Sequence, residues 1–251
     1  MTEIRDNELF KQHEKSSYGD CPICCLPLPI DGTYQQKITF MGCCSKMICN
    51  GCNFANAKRE HEAGLEHRCA FCREPMAKST EEYEKKRMKR VKKNDPAAIR
   101  EVGKKHYYEG DYETAFKYYT KAAALGDAEA YFNLSCMYNK GQGVEKDKEK
   151  EMFHLEEAAI GGHPTARNSL GAAEAKNGRY ERARKHFLIA ANLGYHDSLS
   201  NLKRLYAEGY ASKEDYAGAL HAYQAAVNAT KSSDRDQAEE YIKSGIGRAI
   251  S

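Results

Sequence analysis

No run of apolar residues in this 251-residue chain approaches 18, the length at which a helix could cross a bilayer, so no membrane span is expected. Met1 to Lys15 is rich in charge and lacks the apolar stretch of a secretory signal. Cytosol or nucleus is the expected compartment. There, paired cysteines read as metal ligands rather than disulfides. A strong charge of one sign is also missing: 39 Lys and Arg face 36 Asp and Glu, a net charge of +3, which makes no global case for nucleic acid. No phosphate-binding loop, GxSxG elbow or Ser-His-Asp arrangement can be identified, so no catalytic residue is assigned. Beyond Asp95 cysteine nearly vanishes; Cys136 alone remains, expected as helix packing.

What is present is concentrated. Nine of the ten cysteines lie between Cys21 and Cys72. They form Cys21-x2-Cys24, Cys43-Cys44, Cys49-x2-Cys52 and Cys69-x2-Cys72, with Cys25 as a spare thiol. Two residues between cysteines let a tight turn aim both sulfurs at one metal, and eight thiolates suffice for two tetrahedral zinc sites. The apolar residues of 21–76 are few, among them Ile23, Leu28, Phe40, Ile48 and Phe71. They are too few to offset an ordering entropy of roughly 1–2 kcal/mol per residue. A structural zinc, at roughly 10–16 kcal/mol, is expected to replace the missing core. Phe54 to Glu66 reads as a short helix ending at Gly64.

In its order of pairs this stretch resembles a RING finger, the zinc module of ubiquitin ligases. The resemblance implies interleaved binding: Cys21, Cys24, Cys49 and Cys52 on one zinc, and Cys43, Cys44, Cys69 and Cys72 on the other. Lys46 stands where the commonest RING has histidine. The all-cysteine variant, known from a ligase subunit of the Not deadenylase complex, instead has a cysteine at the spacing that Cys44 matches; His67 or His61, histidine being an ordinary zinc ligand, is the alternative to one of Cys43 and Cys44. By the same resemblance Ile23, Pro27 and Phe71 would dock a ubiquitin-conjugating enzyme, and Arg73 would pin that enzyme to ubiquitin. Such a module transfers ubiquitin by positioning, not by acid or base. Local packing for Ile23 and a plain surface charge for Arg73 are the bland alternatives.

Residues 1–20 are expected as a disordered lead-in and 77–94 as a basic helical linker. Lys85 to Lys93 holds seven basic residues in nine, a weak nuclear signal beside the solvated-helix reading. From Asp95 the chain repeats itself. Ala122, Ala158, Ala190 and Ala226 form one column, Tyr119, Leu155, Phe187 and Tyr223 another, and Ala98, Ala130, Ala166 and Ser198 a third, each followed four positions later by Val102, Leu134, Leu170 or Leu202. Each unit reads as two helices around a glycine turn. A lone hairpin cannot bury its apolar face, so the units are expected to stack.

Ala130-x3-Leu134, Tyr138-x2-Gly141-x-Gly143-Val144, Asp147 and Ala158-Ala159 resemble Sel-one-like repeats, and the shorter units resemble tetratricopeptide repeats. The expected fold class is thus a small two-zinc cross-brace RING module (α+β, metal-stabilised) over 21–76. An all-α solenoid of four hairpins over 95–245 follows, closed by a capping helix after Ser233. The expected function is a ubiquitin ligase whose zinc module docks the conjugating enzyme and whose repeats recruit a protein substrate or adaptor. A non-enzymatic zinc scaffold is the alternative, and a nucleic-acid regulator built on the basic run a third.

Overall fold

A computed structural model describes residues 2–30 and 37–244; Met1, 31–36 of the expected zinc domain and 245 of the expected repeat domain lie outside the described residues. The chain forms two compact units, each made of two stretches: 1–17 with 94–226, and 18–93 with 227–251. Among the described residues no helix is long and apolar enough to cross a membrane.

The first unit is helical. After α1 (Thr2–Leu9) come α4 (Pro96–Tyr108), α5 (Tyr112–Ala124), α6 (Ala128–Lys140), α7 (Lys148–Ile160), α8 (Pro164–Lys176), α9 (Tyr180–Asn192), α10 (Asp197–Ala207) and α11 (Lys213–Ala229). Their starts are set by side chains that accept an otherwise orphaned amide. Asp95, Asp111, Asp127 and Asp147 accept from Ala98, Thr114, Ala130 and Lys150, and His163 does the same for Ala166. Hairpins α4–α5, α6–α7 and α8–α9 stack through α5 on α6, α7 on α8 and α9 on α10. The turns between hairpins reverse at Gly126 (φ 86°) and Gly194 (φ 90°), where a side chain would be strained. The expected columns form the core in the first three hairpins, with Tyr119, Leu134, Leu170 and Phe187 at most 2% exposed, whereas in the fourth Leu202 is buried but Tyr223 and Ala226 are half-buried. Within the third hairpin Gly171 lets α9 approach closely, since a Cβ there would stand 2.6 Å from the Phe187 ring. Cys136 is half-buried in α6.

The lead-in is a correction to the sequence reading. Thr2–Leu9 is helical, and Leu9, 2% exposed, sits in the core cluster of Leu155, Ala158, Ala159, Ala166 and Leu170. Arg5 bonds Glu156 at 2.7 Å and Asp6 accepts from Arg182 at 2.8 Å. Phe10 packs against His186 with ring centroids 4.7 Å apart. The apolar anchors among the described side chains, Leu9 and Phe10, enter a surface that the repeats leave apolar, and flanking ion pairs align them.

The second unit holds β1 (Ile38–Met41), β2 (Lys46–Cys49), α2 (Asn50–Glu62), α3 (Thr80–Val91) and α12 (Ser233–Lys243). The strands pair antiparallel from Ile38↔Cys49 to Met41↔Lys46. Its core is Cys21, Leu28, Met41, Ile48, Cys49 and Cys69, as much sulfur as hydrocarbon. Within this unit α3 is no free linker. Tyr83 covers Gly42, and Lys86 Nζ donates to the Pro75 carbonyl at 2.5 Å. Arg87, 6% exposed, pairs with Glu84. The helix expected as a solenoid cap is a second correction: α12 packs on α2. Gly51 leaves room for it, since a Cβ there would stand 2.7 Å from the Arg235 amide, and Tyr241 meets Phe54 with centroids 4.9 Å apart.

Leu9→Ala tests the seated N-terminal segment. A buried leucine truncated to alanine costs about 2–5 kcal/mol, so the thermal midpoint of the helical unit should fall by several degrees. An unchanged midpoint would mean that the segment is not part of the fold.

Candidate metal centres

Two stretches of the second unit, 48 positions apart, have the same backbone. In the first, Cys21 N donates to Leu26 O at 2.9 Å and Cys25 N to Cys21 O at 2.9 Å. In the second, Cys69 N donates to Glu74 O at 2.8 Å and Arg73 N to Cys69 O at 3.0 Å. Each is closed by an isolated bridge, Asp20 with Pro27 and Arg68 with Pro75. Each also turns through a left-handed residue just after its second cysteine, Cys25 at φ 56° and Arg73 at φ 62°. These knuckles aim the Cys21 and Cys24 sulfurs at one point and those of Cys69 and Cys72 at another. The β1–β2 hairpin serves both groups. Its turn carries Cys43 and Cys44, with the Cys44 and Ser45 amides donating to Met41 O. Its end carries Cys49, whose sulfur accepts from Cys52 N as the N-cap of α2. That cap starts the helix four residues before the expected Phe54, and it ends at Glu62, before Gly64.

The sulfurs gather in two groups, Cys21–Cys24–Cys49–Cys52 and Cys43–Cys44–Cys69–Cys72, within each of which all lie within 4.8 Å of one another. Zinc at about 2.3 Å from each of four sulfurs gives tetrahedral edges of about 3.8 Å. Cys24 to Cys49 is 3.8 Å, Cys44 to Cys69 is 3.9 Å and Cys43 to Cys72 is 3.4 Å. The donor set therefore fits a zinc-sized thiophilic ion. Burial pushes the Cys44 and Cys52 thiols up to about 12, while a hydrogen bond with Cys49 holds Cys21 down to about 4 and the Cys72 and Phe71 amides outweigh burial to hold Cys69 down; ionising all four sulfurs of a group together calls for a cation at its centre. Cys25 is exposed and lies in neither group. His67 and His61, the expected substitutes, are outside both: His67 Nδ1 is 2.9 Å from Glu60, and His61 is an exposed residue in the last turn of α2.

Of the expected docking residues, Ile23 and Phe71 are each 41% exposed. Each stands between the cysteines of its knuckle. Lys46 lies over the Phe71 ring at 5.9 Å. Pro27 is half-buried, and its carbonyl accepts from Arg235 at 2.8 Å. The Arg73 fork is already engaged, Nη1 with Asn56 Oδ1 and Nη2 with Glu60 Oε1, both at 2.6 Å. Glu60 is 1% exposed and also accepts from Asn56 Nδ2 and the Arg68 amide. Burial alone would raise its pKa, but the Arg68 amide, His67 and Arg73 outweigh that and hold it down to about 2. Sequence reasoning missed Glu60, Asn56 and Arg235. Glu60 looks like any charged position of a surface helix, and Arg235 lies more than 160 positions from the nearest ligand cysteine.

Glu60→Gln would leave the Arg73 fork and the Arg68 amide with a neutral partner in a buried setting. The expected loss is about 1–3 kcal/mol in the stability of the metal-loaded second unit, read by chemical denaturation. A midpoint equal to the parent's would show that the network contributes nothing.

Residues 96–127, 128–163 and 171–195 match the family model of the Sel1 repeat. Over 117 residues, 47% of this chain and 25% of that protein, the chain is 41% identical to an uncharacterized protein of Neisseria meningitidis. HcpC of Helicobacter pylori is 44% identical over 52 residues, 21% of this chain and 18% of that protein. The chain thus spans 25% or less of the length of these curated relatives. The crystal structure of a Sel1 repeat protein from Oxalobacter formigenes is similar at 26% identity and a TM-score of 0.52, covering 71% of this chain and 72% of that one. The fourth hairpin, α10–α11, lies beyond the matched ranges but shares the core of the third through Leu199, Leu202, Leu205 and Ala219. Residues 96–195 carry Sel1 repeats, set in a helical-repeat solenoid.

Proposed function

We propose that the cysteine-bearing unit binds two zinc ions as a RING-type cross-brace and docks a ubiquitin-conjugating enzyme, while the Sel1 repeats hold a protein substrate or adaptor. The observation that carries this reading is the alternation of the two sulfur groups along the chain, with sulfur spacings near those of a zinc tetrahedron. Zinc, when bound, supplies shape and no chemistry of its own. The residues then act by placement. Ile23 and Phe71, exposed on the two knuckles, would seat the conjugating enzyme. Arg73, whose planar fork can bridge two carbonyls, would restrain the enzyme-bound ubiquitin in a reactive pose. The basic helix α3 has Lys86 and Arg87 committed to Pro75 and Glu84, so it does not favour a nucleic-acid role.

One observation favours a second reading, a zinc-dependent scaffold without transferase activity. Arg73 is held by Glu60 and Asn56, so bridging other molecules would first require exchange of those bonds.

Self-ubiquitination of the zinc-loaded full chain with a panel of conjugating enzymes separates the two. Chain formation that falls at least tenfold in Ile23→Ala, a loss of about 1.4 kcal/mol or more, is the expected result. Activity untouched by that change would remove Ile23 from the docking surface, and silence across the panel would favour the scaffold.

A further inference from the structure

The first sulfur group has a neighbour from far along the chain. Arg235, in the first turn of α12, reaches the first knuckle. Its Nη1 donates to the Pro27 carbonyl at 2.8 Å and to Thr230 O at 2.6 Å. Its Nη2 donates to Leu26 O at 3.3 Å and to Cys24 Sγ at 3.5 Å. The α12 backbone is held in place for this. Ser232 Oγ caps the helix by accepting from the Arg235 amide, Gly51 admits the helix backbone, and Tyr241 meets Phe54. The equivalent carbonyl of the second knuckle, Pro75, accepts instead from Lys86 Nζ. An ammonium is a point donor, whereas the guanidinium fork can serve carbonyls and a sulfur together.

Four thiolates around one divalent ion carry a net charge of about −2. A buried centre of that charge is stabilised by an outer cation and by N–H donors to its sulfurs. Such donors draw electron density from sulfur and slow its protonation, which is the step that releases metal. Donation to Leu26 O and Pro27 O also fixes the knuckle turn that aims Cys21 and Cys24.

We propose that Arg235 is an outer-sphere positioning residue of the first metal centre. Through it α12 is a working part of the metal module, and metal occupancy and α12 docking stabilise each other reciprocally. This rests on the two-zinc reading but not on ligase activity.

The test uses the full chain loaded with zinc or cobalt(II). In Arg235→Ala, one of the two metal ions should leave a chelator challenge about 10–100-fold faster than in the parent, while the other leaves within about twofold of its parent rate, a difference of about 0.4 kcal/mol. In the cobalt form, the part of the sulfur-to-metal charge-transfer band that belongs to this centre should move to longer wavelength, because a sulfur without its donor is easier to oxidise. Tyr241→Ala loosens the same helix without removing the sulfur contact, and it should leave that band in place. If Arg235→Ala leaves both the release rates and the band unchanged, the proposal is overturned. It is likewise overturned if the two variants alter both readouts equally, which would reduce Arg235 to helix packing. A parent chain that takes up no metal would defeat the two-zinc reading itself, a result distinguishable from either.

Discussion

Eight cysteine sulfurs drawn to two points determine the shape of the second unit. Three of the six residues in its main buried cluster are cysteines. The physical constraint is mutual. Four sulfurs this close resist ionising together without a cation, and the turns that bring them together are fixed by the backbone hydrogen bonds of the knuckles. Short rigid pieces do the aiming: two knuckles built alike and one hairpin whose two ends serve different groups. The shared hairpin gives its turn to one group and its end to the other.

The Sel1 repeats solve the opposite problem with hydrocarbon. Alanine and glycine columns let paired helices approach, and one large residue per hairpin fills the gap, as Phe187 does against Gly171. Aspartate caps start four of the helices. The remaining apolar face around Leu155 and Leu170 is closed by Leu9 and Phe10 from the start of the chain, the same principle supplied by a segment outside the repeat pattern.

What was legible in the sequence was whatever repeats or clusters locally. The cysteine couples, the alanine columns and the glycine turns declare themselves because their spacing reflects the geometry of a knuckle or a helix turn. The seating of Leu9, the buried carboxylate of Glu60 and the reach of Arg235 carry no such spacing. Each depends on a surface assembled from distant residues, and an isolated Leu, Glu or Arg in a polar stretch looks like solvent-facing chain. The placement of α12 shows the same limit. A short amphipathic helix after a repeat array reads as its cap, and its contacts with Gly51 and Phe54, nearly two hundred positions earlier, leave no local signal.

The most direct test of this account is the zinc content of the purified full chain, counted per polypeptide. Two ions are expected, falling to one when Cys24→Ser or Cys44→Ser is introduced singly. A single ion in the parent, or two that survive either substitution, would contradict the two-centre structure from which the rest follows.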